Sequence, residues 1–143
     1  LSLQPRLKKL QHNINVDCDP TLCVETKAGP INQIIINLIM NSVIHGFENI
    51  EKGQIDICAE LITTNKLKLV YRDNGIGIPS DIRKRIFDPF VTTKRGQGGS
   101  GLGMHLVYNL VTQALNGSIS ITSEVGSGVE FVIVFPVSSA KTS

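Results

Sequence analysis

The 143-residue sequence predicts a single α+β domain. Three observations carry that prediction. Apolar residues recur at helical spacing in two stretches, one beginning at Pro30 and one at Met104. Strand-like runs occupy residues 54–61, 67–71, 118–121 and 129–135. Glycine- and proline-marked turns separate these elements, and the length suffices for one buried core.

In chain order, Leu1, Leu3, Leu7 and Leu10 with Arg6, Lys8 and Lys9 between them read as the end of an upstream helix. Residues 1–10 are therefore set apart, and a start without methionine reads as an excised fragment. The domain proper is expected over residues 11–136. Asn13 to Asp17 and Thr21 to Lys27 are β-rich runs around Asp19-Pro20, which predicts a hairpin or two neighbouring strands. Gly29-Pro30 stops the second run, and Pro30 suits a first helical turn. Ile34, Ile35, Leu38, Ile39 and Val43 give that helix a broad apolar face. Asn37, Asn41 and His45 fall at i, i+4 and i+8, one stripe along the same helix. After Gly53, residues 54–61 begin with clear alternation, and Leu67 to Tyr71 form the partner strand that delivers Asp73. Ser80 and Asp81 after Pro79 predict a short capped helix through Ile86.

No regular element can be written from Phe87 to Gly103. Five glycines between Gly96 and Gly103 make ordering costly, so this stretch reads as a mobile lid anchored by Phe87 and Phe90. Thr92, Thr93, Lys94 and Arg95 are the donors it could bring to an anion. Met104, Val107, Leu110, Val111 and Ala114 mark the second helix, which Asn116-Gly117 ends. Its start among glycines suits phosphate, although a plain flexible loop before a helix reads the same way. Strands on either side of Gly126-Ser127-Gly128 follow, Pro136 closes the sheet, and residues 137–143 are expected to be a loose tail.

Composition excludes several classes. The formal net charge is +2 with scattered charges and no basic arm, which argues against nucleic acid. No apolar run reaches membrane-spanning length, and residues 1–9 lack the apolar segment of a secretory signal. Cys18, Cys23 and Cys58 are an odd number without metal-ligand spacing, so they read as reduced thiols of a cytoplasmic protein.

The chemistry-bearing stretch is Asp73-Asn74-Gly75-Ile76-Gly77-Ile78. One reading is ordinary turn chemistry. The other is a carboxylate held at a strand end and pointing out of the core, its open glycine backbone admitting a flat heterocycle with an N–H donor, such as the adenine amine. The Asn37 and Asn41 amides are either satisfied locally or turned toward a site. There an asparagine oxygen suits Mg²⁺, a hard cation that also takes phosphate oxygens. Gly96 to Gly101 matches G-x-G-x-x-G, but Thr92 to Arg95 precede it in place of a strand, which argues against a dinucleotide fold. The P-loop pattern and a serine nucleophile elbow are absent.

The order of motifs is specific: Asn37-x3-Asn41, Asp73-x-Gly75-x-Gly77, Phe87-Asp88-Pro89-Phe90, Gly99-Ser100-Gly101-Leu102-Gly103, Gly126-Ser127-Gly128. It resembles the catalytic ATP-binding domain of two-component sensor histidine kinases, within the wider group that includes gyrase, Hsp90 and MutL ATPases. The resemblance covers roughly residues 11 to 136. It implies a two-layer α/β sandwich of the Bergerat type, a mixed sheet of about five strands with about three helices on one face. It implies ATP and Mg²⁺ as cofactors, with Asn41 as the metal ligand and Asn37 near the phosphates. Asp73 would bind the adenine amine; Gly75, Gly77 and Ile78 would line the base, and His45 would flank it. Lys94 and Thr93 would act from the lid, and Gly99, Ser100, Gly101, Leu102 and Gly103 would cradle phosphates. Two positions depart from the pattern: Ile44 stands where many members carry Lys or Arg, and Val129 where threonine is common.

The resemblance also implies a protein-histidine kinase. The γ-phosphoryl would pass to a histidine on a dimerisation domain of the same parent, with a response regulator downstream. None of His12, His45 and His105 lies in a phosphoacceptor signature, so the acceptor is expected elsewhere and the isolated domain is expected to be monomeric. The ATPases of the wider group carry a glutamate as general base where this chain has Asn37. An amide cannot take a proton from water, and base catalysis is worth roughly 10²–10⁴-fold, so little hydrolysis is expected. The competing reading is a degenerate kinase, a nucleotide-binding interaction module without transfer activity.

Overall fold

The computed structural model describes residues 13–18, 24–25, 28–47, 50, 52–88 and 103–139. The elements in order are β1 (Asn13–Cys18), β2 (Val24–Glu25), α1 (Ala28–Asn41), β3 (Gln54–Thr63), β4 (Lys66–Asp73), α2 (Ser80–Arg83), α3 (Gly103–Asn109), β5 (Ser118–Ser123), β6 (Val129–Pro136) and β7 (Ser138–Ser139). A π-helical turn extends each long helix, Ser42–Gly46 after α1 and Leu110–Ala114 after α3.

β1, β3, β4, β6 and β5 form one sheet in that order, with β1 parallel to β3 and the other pairs antiparallel. The sheet is therefore mixed and five-stranded, as expected. Register dictates its two faces. Ile57, Tyr71, Phe131 and Ile121 stand in one row, and Ala59, Leu69, Ile133 and Ile119 in the next. This apolar face is covered: Ile34 and Leu38 of α1 and Val107 and Val111 of the second helix are buried in the same core. The other face carries Glu60, Arg72 and Thr122, all exposed.

α1 has no acidic residue in its first turn and no basic residue in its last, and six of its residues before Leu38 are isoleucine or asparagine. Its intrinsic helix preference is poor. Burial of side chains such as Ile34 and Leu38, worth about 1.5–3 kcal/mol each, is what holds it.

Two expectations are corrected. β1 and β2 form neither a hairpin nor neighbouring strands. β1 pairs with β3, and β2 pairs with β7. Parallel pairing needs a long crossover, and α1 supplies it. The tail is not loose at its start: Val137 is buried, its N–H donates to the Asn65 carbonyl at 2.9 Å, and Ser138–Ser139 pair with β2. The alternation of β6 simply continues through Pro136 to one more inward side chain. Residues 1–10 and 140–143 lie outside the described residues.

α2 is shorter than expected, ending at Arg83 with turns through Ile86 and Phe87. Asn116 adopts φ 56°, and the Gly117 N–H reaches back to the Val111 carbonyl at 2.8 Å, so Asn116-Gly117 terminates the second helix as expected. Among the described residues no helix is long and apolar enough to cross a membrane.

Candidate functional site

Leu67, Leu69, Tyr71 and Asp73 alternate along β4, so Asp73 points to the same covered face as the core residues before it. The expectation of a carboxylate directed out of the core is thus corrected: Asp73 is only 7% exposed. In its register row stand Ile55, Val129 and the buried Ser123. A buried carboxylate must be hydrogen-bonded. Ser42 Oγ donates to Asp73 Oδ2 at 2.6 Å, the Gly75 N–H donates to Oδ1 at 3.0 Å, and the Val129 N–H is a further donor. An ionised carboxylate offers about four acceptor positions, so one stays open among the described residues for another N–H.

Burial raises the Asp73 pKa above the ordinary 3.8, against the hydrogen bonds from Ser42, Gly75 and Val129, which lower it. The folded chain therefore binds this proton more tightly than the unfolded chain. The resulting contribution to stability is complete below 3.8 and is lost as pH rises through the raised value.

The turn after β4 is stapled on two sides. The Ile76 N–H donates to the Gly46 carbonyl at 2.8 Å, tying it to the end of the first π-helical turn. The Ile78 N–H donates to Ser123 Oγ at 2.8 Å and the Gly126 N–H to the Ile76 carbonyl at 2.7 Å, tying it to the β5–β6 turn. A Cβ on Gly75 would stand 2.3 Å from the Gly46 carbonyl oxygen. One on Gly77, whose φ is 80°, would stand 2.1 Å from the Glu124 carbonyl oxygen. Where a side chain would begin on these glycines, the neighbour is the protein's own backbone, so neither position has room for one.

On the facing helix, Asn37 and Asn41 are half-buried. Asn37 Nδ2 is buried without a hydrogen-bond partner among the described residues, while its Oδ1 takes a long 3.5 Å contact from Gln33 Nε2. An orphaned buried amide is rare enough to need a partner. It is a donor of the right kind for a phosphate oxygen. The Phe47 N–H bonds to the Ser42 carbonyl at 2.8 Å, five residues back. This wider turn sets His45 back from the strict i, i+4, i+8 stripe that the sequence suggests. π-helical insertions of this kind occur often at functional sites.

The structure thus gathers Asp73, Gly75, Gly77 and Ile78 at the end of β4, beside the helix that carries Asn37, Asn41 and His45. Gly103 opens α3, and a Cβ there would meet nothing within 4 Å. Thr93, Lys94, Gly99, Ser100, Gly101 and Leu102, with Phe90, lie outside the described residues. Phe87 packs against Tyr108 with ring centroids 5.4 Å apart, and its carbonyl accepts from His105 Nδ1 at 3.0 Å. These contacts tie the chain at Phe87 to α3. Among the described residues no cluster of three His, Cys, Asp or Glu side chains could hold a metal. A divalent cation here would rely on an amide oxygen, such as that of Asn41, and on its ligand's own oxygens. A cleft of about 320 Å³ is lined by Arg72, Thr122 and Glu130 of the outer sheet face with Asp73 and residues of the turn between Ser123 and Val129. It includes none of the α1 residues.

Ser42, Tyr71 and Ser123 are site residues that sequence reasoning missed. Two signals were available: Ser42 is a polar residue at the end of an apolar helix, and Tyr71 stands two residues before Asp73 on an inward-facing strand position.

A mixed five-stranded sheet covered on one face by helices is the architecture of histidine kinase catalytic domains. Residues 26–139 match the family of histidine kinase-, DNA gyrase B-, and HSP90-like ATPases, and the chain belongs to that family. It is 40% identical over 133 residues to the autoinducer 2 sensor kinase/phosphatase LuxQ of Vibrio harveyi, covering 87% of this chain and 15% of LuxQ. It is 35% identical over 139 residues to the sensor histidine kinase AtsR of Burkholderia thailandensis, covering 92% of this chain and 22% of AtsR. The chain therefore spans about a fifth or less of these relatives. Among solved structures, full-length ShkA in complex with AMPPNP superposes with a TM-score of 0.82 at 28% identity, over 99% of this chain and 29% of ShkA. The nucleotide-free catalytic domain of the histidine kinase ThkA gives 0.77 at 28% identity, over 94% of this chain and 86% of that one.

Proposed function

We propose that this chain is the catalytic part of a two-component sensor kinase: it binds Mg-ATP and delivers the γ-phosphoryl to a histidine on a separate dimerisation domain of its parent. The observation that carries this reading is Asp73, a buried carboxylate with three donors and one acceptor position open, facing the helix of Asn37 and Asn41. That open position accepts the exocyclic amine of adenine and repels the carbonyl oxygen that guanine presents there. ShkA, at 28% identity, was solved with AMPPNP, which supports a nucleotide at the corresponding site here.

In this reading Ile78 and the backbone of Gly75 and Gly77 border the base and His45 flanks it. Asn41 offers its amide oxygen to the metal, and the orphaned Asn37 Nδ2 donates to a phosphate oxygen. Thr93 and Lys94 act from the lid, and residues 99–103 cradle phosphates. Bound Mg²⁺ supplies charge neutralisation on the phosphates. The residues themselves bind and orient, which is most of what phosphoryl transfer requires of a protein. The domain spans residues 11–139 in this reading, since Val137 and Ser138–Ser139 pack with it, and it has a cytoplasmic location, with a dimerisation domain and a response regulator as partners.

Two predictions follow directly from the side chains. Asn41→Ala should weaken ATP binding by about tenfold with Mg²⁺ present and leave it unchanged in a chelator. Equal loss in both conditions, by calorimetry, would remove Asn41 from the metal. Asn37 cannot serve as a base for water, so the isolated chain should turn over ATP no faster than a sample stripped of protein by filtration. Brisk turnover would count against this assignment. The decisive experiment supplies radiolabelled ATP together with the parent's dimerisation domain. Label on that domain's histidine is the expected result. Nucleotide binding without label would leave a binding module and no kinase.

A further inference from the structure

Three polar contacts run in series through the core beneath the base-recognition carboxylate. Tyr71 Oη lies 3.0 Å from the Leu38 carbonyl oxygen and 2.6 Å from Ser42 Oγ, which lies 2.6 Å from Asp73 Oδ2. Each contact needs one hydrogen, and a hydroxyl has one to give. With Asp73 ionised, Tyr71 and Ser42 bring two hydrogens to three contacts. Ser42 then donates to the carboxylate, Tyr71 turns to Ser42, and the Leu38 carbonyl loses its side-chain donor. With Asp73 protonated the missing hydrogen is present. The relay then runs from Asp73 to Ser42, from Ser42 to Tyr71 and from Tyr71 to Leu38.

Oδ1 accepts from the Gly75 N–H, so the added proton belongs on Oδ2, facing Ser42. Ser42 and Tyr71 are each 1% exposed and Asp73 7%, so bulk water is no alternative partner for the hydroxyls.

Resting on the nucleotide reading above, we propose that Ser42 and Tyr71 are positioning residues that set the proton occupancy of Asp73. Seating an adenine amine on the carboxylate then reverses the relay and releases one proton to solvent. The amine is a donor and selects the ionised carboxylate. Among the described residues the groups facing Asp73 are few. They are Ser42 from the π-helical turn, Tyr71 from its own strand, and the N–H groups of Gly75 and of Val129 on β6. Ile55, opposite on β3, is apolar. His45 lies on the same π-helical turn as Ser42, and Arg72 and Glu130 are bonded to each other on the outer face.

The two hydroxyls act in opposite directions. Removing the Tyr71 hydroxyl costs the protonated relay two contacts and the ionised one a single contact, so Asp73 should titrate lower in Tyr71→Phe. Removing the Ser42 hydroxyl takes the side-chain donor from the carboxylate and leaves burial less opposed, so Asp73 should titrate higher in Ser42→Ala. A purely structural role would not separate the two signs.

The test has two readouts. Carboxyl-carbon NMR of the ligand-free chain, from about pH 4 to about pH 8, follows Asp73 itself. Calorimetry with ADP, in buffers of differing ionisation enthalpy, counts protons released. Expected are a wild-type midpoint above that of an ordinary aspartate, a downward shift of about one pH unit in Tyr71→Phe and an upward shift of about one in Ser42→Ala. Below the midpoint ADP affinity should fall by up to about tenfold per pH unit, with release approaching one proton. An ordinary wild-type midpoint, or variants that shift together or not at all, overturns the relay. If one variant fails to fold, the wild-type midpoint and the other variant decide. ADP binding without buffer-dependent heat overturns the coupling alone. A relay that titrates as expected in a chain that binds no ADP overturns the nucleotide reading and the coupling, and leaves the positioning roles standing.

Discussion

Asp73→Asn is expected to weaken ATP binding by about ten- to hundredfold, the worth of a hydrogen bond to a charged group. The fold should survive the change. The Gly75 N–H addresses Oδ1, so the amide of the variant must place its oxygen there. Its NH₂ group then takes the place of Oδ2, opposite Ser42 Oγ. Ser42 can accept where it formerly donated, passing its own hydrogen to Tyr71, so the hydroxyl pair keeps its partners. The same NH₂ meets the adenine amine donor to donor, and that clash is the source of the lost affinity. Guanine presents an acceptor at that position, so preference for ATP over GTP should shrink or invert. Removing a buried charge should leave neutral-pH stability unchanged or raised, since burial is the largest influence on this carboxyl. Calorimetry with both nucleotides and a thermal melt separate the effects. Unchanged ATP affinity in a folded variant would remove Asp73 from base recognition.

Much of this arrangement was legible in the sequence because it follows from periodicity. Ile34, Leu38, Val107 and Val111 lie at helical spacing, and all four are buried where the pattern puts them. The strands of the central sheet, their hairpin partners and the helix stop at Asn116-Gly117 follow from alternation and turn chemistry in the same way. The motif order that resembles histidine kinases placed Asn37, Asn41 and Asp73 in one region, and helix and strand end do meet through Ser42. What was not legible is long-range. Whether β1 pairs with β2 or with β3 depends on a crossover, and no local signal distinguishes them. The inward direction of Asp73 was available from the alternation of Leu67, Leu69 and Tyr71, yet a charged residue at a strand end reads as exposed unless its partners are known. Those partners, Ser42 and two backbone N–H groups, come from positions 31, 2 and 56 residues away, as 73 − 42, 75 − 73 and 129 − 73. The backbone partners that require glycine at positions 75 and 77, the carbonyls of Gly46 and Glu124, are equally remote in sequence.

That last point gives the second large effect. Gly75→Ala should destabilise the chain by about 2–4 kcal/mol, combining overpacking with lost backbone hydrogen bonds. The new Cβ would stand 2.3 Å, 2.7 Å and 2.9 Å from the carbonyl oxygen, carbonyl carbon and Cα of Gly46. All three are backbone atoms, so no side chain can swing away to relieve the contact. Either the turn lifts from the π-helical segment or that segment unwinds. In both cases the 2.8 Å bond from the Ile76 N–H to the Gly46 carbonyl fails, and the Gly75 N–H moves off Asp73 Oδ1. Stability and adenine affinity should therefore fall together, which separates this variant from Asp73→Asn, where affinity falls alone. Gly29→Ala is the matching control. A Cβ at Gly29 meets nothing within 4 Å, and the residue lies in α1, so alanine there should stabilise by up to about 1 kcal/mol. Urea unfolding of the two variants reads the contrast directly. If Gly75→Ala unfolds at the same denaturant midpoint as the unchanged chain, the turn does not lie against Gly46, and the staple that presents Asp73 to a base is not formed.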